Sequence, residues 1–294
     1  MTKKTSDRVI SVLFLLPSIV LFALFIVYPV FNTFYLSFHS WKGIYVSPKI
    51  FIGFVNYSNV LTSRSFWNSM LNIFYFALGG FLILMPLAFC LALLITSKLK
   101  GTRIMKAAFF MPVMLSTTAV ALMWVYILNP SFGILSQIGS VLNWKFLRTD
   151  FLSTPGLNVW SVVLVNEWMY AGYNMLIFSA SLVAIPQELY ESAEIDGCTG
   201  FGRIVHISIP LSKEAFKIFS ILCITGCLKV FDIIWAMTRG GPNHTSDSPA
   251  TYLYNEAFTF KFFGKSSAIA VILLVLGISL SLLVNRFFTG KDET

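Results

Sequence analysis

The stretch IPQELYESAEIDGCTGFGRIVHISIP, residues 185–210, separates two long apolar runs and is itself polar and acidic. Pro186 suits the first turn of a helix, where its missing N–H would have no partner anyway. Glu188 and Glu191 stand in the opening turns, near the positive end of the helix dipole. Glu188, Glu191 and Ile195 fall on one face, with Ser192 beside them. Gly197, Gly200 and Gly202 permit a sharp break, and Phe201–Ile207 has room for a second short helix before Pro210 closes the segment. This reads as a helix–turn–helix elbow, acidic on one side, with the small residues Ser192 and Ala193 where a partner can approach closely. The plainer reading is a solvated loop, and composition alone does not choose between them.

On both sides of the elbow the chain is apolar. Of 294 residues, 56% are hydrophobic and 12% charged, with mean hydropathy +0.77. A soluble domain of this size needs more charge to cover its surface. The apolar residues gather into runs of about 20 or more, enough to cross roughly 30 Å of hydrocarbon as helix. The expected spans are 9–31, 69–95, 107–128, 157–184, 215–237 and 266–283, which makes an all-α membrane protein of six transmembrane helices in one domain, 1–294. The basic start and first apolar run are too long for a signal peptide, and no small-x-small cleavage site follows. The net charge of +8 lies beside the spans, not in a continuous patch, so topology and not nucleic acid explains it. The clusters Lys3/Lys4/Arg8 and Lys98/Lys100/Arg103/Lys106 place the N-terminus in the cytoplasm, and an even span count returns the C-terminus there. Cys90, Cys198, Cys223 and Cys227 read as small apolar filler, and no histidine near Cys223 and Cys227 completes a metal site. No internal repeat suggests the two halves of a secondary carrier.

The elbow's spacing is more specific than its composition. Glu191-Ser192-Ala193, then Gly197, then Ile207, Ile209 and Pro210, resembles the EAA signature of permease subunits of binding-protein-dependent ABC importers, with Ser192 in place of the commoner alanine. Asn129-Pro130-Ser131-Phe132-Gly133, Asp196-Gly197, Phe231-Asp232 and Thr238-Arg239-Gly240-Gly241-Pro242 are similar to the carbohydrate-uptake branch, the relatives of maltose and oligosaccharide permeases. The resemblance implies the type I importer permease fold. It also implies that Glu191, Ser192, Ala193, Asp196, Gly197, Ile207 and Pro210 form a coupling helix pair that docks in a cleft of an ATPase subunit. The partners it implies are a second homologous permease, two cytoplasmic ATPase subunits and an extracytoplasmic substrate-binding protein, in the lipid of a bacterial or archaeal cell membrane. No cofactor is expected on this chain. It has no Gly-x-x-x-x-Gly-Lys-Ser/Thr loop to cradle phosphates, so ATP belongs to the partner subunits.

Polar side chains at membrane depth are costly and face a protein interior or a water-filled path. Ser116-Thr117, Asn166-Glu167 with Tyr170, Tyr173-Asn174, and Lys229 with Asp232 stand out. Lys229 and Asp232, three apart, are placed to pair on one helix face. Asn166, Met169 and Tyr170 form a polar–aromatic patch able to bond hydroxyls and stack on a sugar ring. By the same resemblance Val113, Thr117 and Cys227 line a cavity. Glu167 is unusual within this patch, and its two readings are a pair with Lys229 or a face toward the partner permease. Against this stands the reading that Ser, Thr and Asn simply join membrane helices. A polytopic enzyme is disfavoured, because His39, His206 and His244 are scattered and no His-Glu-x-x-His or nucleophile elbow is present. An ion-coupled carrier would have only Glu167 and Asp232 to work with. The expected cargo is a sugar or oligosaccharide, with glycerol-phosphate or an acidic sugar as the alternative.

Overall fold

The computed structural model describes residues 14–43, 47–97 and 99–289. The expected start of the first span at 9–13, and Lys3, Lys4, Arg8 and Lys98, lie outside them. In chain order the helices are α1 (Phe14–Ser37), α2 (Val55–Leu61), α3 (Arg64–Thr96), α4 (Thr102–Met114), α5 (Thr117–Ile127), α6 (Ile134–Val141) and α7 (Leu157–Val183). They continue as α8 (Gln187–Ile195), α9 (Phe201–Leu211), α10 (Lys213–Lys229), α11 (Asp232–Met237), α12 (Pro249–Tyr254) and α13 (Phe263–Thr289).

Among the described residues, three helices are each long and apolar enough to cross a bilayer, Phe14–Ser37, Arg64–Thr96 and Phe263–Arg286, and the bent pairs α4–α5 and α7–α8 meet the same test when each is taken together. The expected third span is not one rod. α4 and α5 meet at 96°, because Leu115 and Ser116 are extended (ψ 154° and 132°). Pro112, inside α4, brings no N–H to the backbone ladder just before that break. The expected fifth span, 215–237, is also divided. α10 has 17 residues and α11 only 6, with Val230 and Phe231 non-helical between them. Neither piece alone reaches the roughly 20 residues a crossing takes.

The residues gather into two compact units, one from the chain up to Ser63 with Leu253–Leu274, the other from Arg64–Tyr252 with the chain from Val275 on. In the first, α1 leads into a two-residue antiparallel pair, β1 (His39–Ser40) and β2 (Ile50–Phe51), in register His39↔Phe51 and Ser40↔Ile50. Asn56 of α2 fixes this corner by donating to the carbonyls of Ser37 and His39 at 2.9 and 3.0 Å. Glu256, 5% exposed, is neutralised by Lys265 at 2.6 Å.

In the second unit α7 is the hub, packing on α3, α4, α5, α10 and α11. In lipid there is little hydrophobic drive between helices, so close packing of small residues and van der Waals contact must hold them. Gly172 supplies this, since a β-carbon there would run into the Phe109 carbonyl of α4. Farther along α7, Phe178 sits among Phe89, Phe216 and Phe219 with ring centroids 4.8–5.8 Å away. Such pairs contribute about 0.5–1.5 kcal/mol each beyond their buried area.

Candidate functional site

Two features satisfy the chemistry that the sequence suggests, and they lie at different places along α7. At its C-terminal end the chain bends by 71° into α8. Pro186 stands at the N-cap, one residue before the helix, and Glu188 lies in the first turn. α8 stops in a Schellman arrangement: the Cys198 N–H donates to the Ala193 carbonyl at 2.7 Å and the Gly197 N–H to the Glu194 carbonyl at 3.1 Å. Gly197 takes the left-handed conformation this requires, φ +76°. The two arms of the elbow are tied by Tyr190 Oη and Ser208 Oγ at 3.1 Å and by Arg203 with Glu194 at 3.4 Å.

Within this elbow Glu191, Ser192, Asp196, Gly197 and Pro210 are exposed, and Ala193 and Ile207 are half-buried. Glu191 and Asp196 form no side-chain hydrogen bond or ion pair among the described residues. Ile195 and Phe201 present apolar surface at 87% and 77% exposure. The result is a stiff polar knob with two apolar contacts at its tip.

The second feature is a cavity of about 370 Å³ beside the middle of α7. Its wall brings together Thr117, Asn166, Glu167, Tyr170, Cys227 and Lys229, expected on the pathway, with Tyr173, Asn174 and Asp232, polar residues that also stand out in the sequence, and with Cys223. Val113 and Ser116 are not part of this lining. Met169 points away into the core, packed with Val120, Val162 and Ile234. Both helix breaks open onto the cavity: Thr117 begins α5 after the first, and Lys229, Val230, Phe231 and Asp232 make up the second.

The expected ion pairs are not formed. The turn at Val230–Phe231 puts Lys229 and Asp232 on separate helices, both exposed on the cavity wall and not bonded to each other. Glu167, 3% exposed, bonds through Oε1 to the Asn166 amide at 3.5 Å and not to Lys229. Its Oε2 has no hydrogen-bond partner among the described residues. An unpaired buried carboxylate oxygen costs about 1–3 kcal/mol or more, so its retention on a cavity wall suggests a use beyond packing.

Sequence reading missed a third group. Residues 238–251 carry a dense polar network behind the cavity. Asn72 of α3 donates to the carbonyls of Thr245 and Asp247 at 2.9 and 2.8 Å. Asn158 of α7 donates to the Gly241 carbonyl and Thr245 Oγ1 at 2.9 and 2.8 Å. Asp247 is fully buried between His244 Nδ1 at 2.6 Å and the Thr251 hydroxyl at 2.8 Å. Burial pushes its carboxyl pKa up, while the bonds from His244 and Thr251 pull it back. Asparagines inside apolar stretches were the available signal for this network.

A predominantly helical membrane protein with a polar cavity at a pair of broken helices and an exposed elbow has the architecture of a membrane transport subunit. The chain belongs to the binding-protein-dependent transport system inner membrane component family, whose model matches residues 85–290. It is thus a multi-pass permease subunit of an ABC transporter. A probable ABC transporter permease protein of Bacillus subtilis, YurN, is 33% identical over 291 residues, covering 98% of this chain and 99% of the relative. The trehalose/maltose transport system permease protein MalF of Thermococcus litoralis is 31% identical over 287 residues, covering 97% and 96%. In three dimensions the chain superimposes on a subunit of a bacterial ABC transporter involved in import of the acidic polysaccharide alginate, with TM-score 0.84 at 23% identity over 98% of this chain and 97% of that one. That likeness shows a shared fold, the type I importer permease fold.

Proposed function

We propose that this permease forms half of the pathway for a sugar or oligosaccharide delivered by an external binding protein. It would act beside a second permease and two ATPase subunits that bind all of the ATP. The observation that carries this is the cavity, where Asn166, Glu167, Tyr170 and Tyr173 offer hydroxyl-bonding groups and aromatic faces within an otherwise apolar helix bundle. The names of relatives that carry trehalose, maltose or multiple sugars agree with it. The six-span count, with both termini in the cytoplasm, belongs to this reading, as does one transmembrane domain over 1–294. So do the roles of Glu191, Ser192, Ala193, Asp196, Gly197, Ile207 and Pro210 as the ATPase-coupling elbow.

A second cargo has one observation in its favour. Lys229 lies exposed on the cavity wall and has no ion-pair partner among the described residues, which suits an anionic sugar or glycerol phosphate. Against it, the same wall carries the carboxylates Glu167 and Asp232.

The test is reconstitution of the permease with its partner subunits in liposomes, with ATP-driven uptake of maltotriose, alginate trisaccharide and sn-glycerol 3-phosphate compared. Uptake of the neutral trisaccharide alone supports the first reading, and uptake of only the anions replaces it with the second. Glu191→Lys should abolish ATP-driven uptake while leaving membrane insertion intact. Normal uptake by that variant would remove the coupling role.

A further inference from the structure

We propose that Ser248 is a positioning residue for the cavity wall: its hydroxyl holds the Val230 peptide out of helical geometry, and this keeps Lys229 and Asp232 apart and presented to the cavity. Only the consequence for transport rests on the pathway reading above; the backbone switch does not.

The break between α10 and α11 has no local cause in the sequence. Leu228, Lys229, Val230, Phe231 and Asp232 include neither proline nor glycine, the usual sources of a sharp kink. Its geometry is confined to one peptide. Val230 has helical φ (−61°) but ψ 117°, and Phe231 has φ −134° but ψ −60°. Resetting those two dihedrals, Val230 ψ and Phe231 φ, to helical values would restore an unbroken helix. The carbonyl of this same peptide accepts a hydrogen bond from Ser248 Oγ at 2.6 Å.

Ser248 is itself held firmly. It is 1% exposed, its N–H donates to Thr251 Oγ1 at 2.9 Å, and its Oγ accepts from the Thr251 N–H at 3.1 Å. Thr251 is bonded in turn to the buried Asp247, and the segment is pinned to α3 and α7 by Asn72 and Asn158. A rigid polar brace therefore meets the cavity helix at one atom. Without that bond, the Val230 carbonyl is free to accept from the N–H of Ile234, four residues on, as in a continuous helix. Lys229 and Asp232 would then face each other three residues apart and pair, withdrawing both charges from the cargo.

The geometry gives a direct assay. In a continuous helix, residues 229 and 232 have α-carbons about 5 Å apart, within the roughly 4.4–6.8 Å a disulfide spans. The full-length permease, in membranes, would carry Lys229→Cys and Asp232→Cys with its four native cysteines changed to serine. Oxidative closure of that pair is expected to be slow with Ser248 present. Ser248→Ala should speed it about tenfold, the population shift that one hydrogen bond commands. Thr251→Val, which at nearly unchanged volume removes the hydroxyl that accepts from the Ser248 N–H, should act in the same direction and serves if the alanine variant does not insert. Equal closure rates with and without Ser248 or the Thr251 hydroxyl would overturn the proposal. A clear acceleration, where the permease with native Lys229 and Asp232 carries no sugar, would instead leave the switch standing and sink the pathway reading.

Discussion

Gly197 offers the sharpest test of how the elbow is built. At φ +76° it lies where a side chain is strained, yet a β-carbon added there meets nothing within 4 Å. The cost of Gly197→Ala is therefore backbone strain alone, about 1–2 kcal/mol. Asparagine tolerates the left-handed conformation better, so Gly197→Asn should cost less. At roughly 1.4 kcal/mol per factor of ten, the alanine variant shifts the balance from capped toward frayed helix end about 5- to 30-fold. That balance is visible in amide hydrogen exchange. The Gly197 and Cys198 amides close the Schellman turn onto Glu194 and Ala193, so their protection should fall in the order Gly, Asn, Ala. If the elbow passes force between an ATPase and α7, cargo moved per ATP hydrolysed should fall in the same order, with insertion and expression unchanged. Equal protection in all three variants would show that the turn does not hold the elbow. Altered protection with unchanged transport stoichiometry would show that elbow stiffness is not what couples it.

Three other outcomes follow from the packing. Glu167→Met should raise the melting temperature of the purified permease, since it removes the unpartnered Oε2 that costs about 1–3 kcal/mol, while lowering sugar uptake; a variant that melts lower and transports normally would mark the carboxylate as structural. Lys265→Met leaves Glu256 buried without its counter-charge and should destabilise by about 3–5 kcal/mol. The double variant with Glu256→Leu should recover most of that loss in denaturation experiments, and no recovery would mean the pair itself is stabilising. Gly172→Ala forces α4 away from the Phe109 carbonyl and should cost about 1–3 kcal/mol, whereas Gly226→Ala, open on all sides, should be near neutral by the same measurement.

The parts of the molecule legible in the sequence share a physical origin. Membrane class follows from runs of apolar residues, because the bilayer imposes a length and a composition that few soluble helices meet. The apolar run 157–184 coincides with one continuous helix, α7, of Leu157–Val183. The elbow was legible because its residues have local causes: Pro186 at the helix start, the glutamates at its positive end and Gly197 at its stop. The ion pair between Lys229 and Asp232 was not, because i,i+3 reasoning assumes an unbroken helix. Likewise Met169 shares the Asn166–Tyr170 stretch but points the other way, since a helix turns about 100° per residue and only one arc of it can face a cavity.

The two helix breaks show where hydropathy reading fails in this protein. Pro112 gave warning of the first, but averaged over 215–237 Val230 and Phe231 are simply two more apolar residues. The reason for the second break lies 18 residues on, in the hydroxyl of Ser248. Irregular backbone at membrane depth is tolerated only where protein or a water-filled cavity satisfies its polar groups. Both breaks meet that condition at the same cavity, the first through Thr117 and the second through Lys229 to Asp232. A helix that carried its polar side chains on an unbroken rod would bury them against α7 or pair them with one another. Interrupting two helices beside one polar face of a third is what leaves Lys229 and Asp232 exposed on the cavity wall beside the buried Glu167, and a cargo passing there would supply partners for both charges.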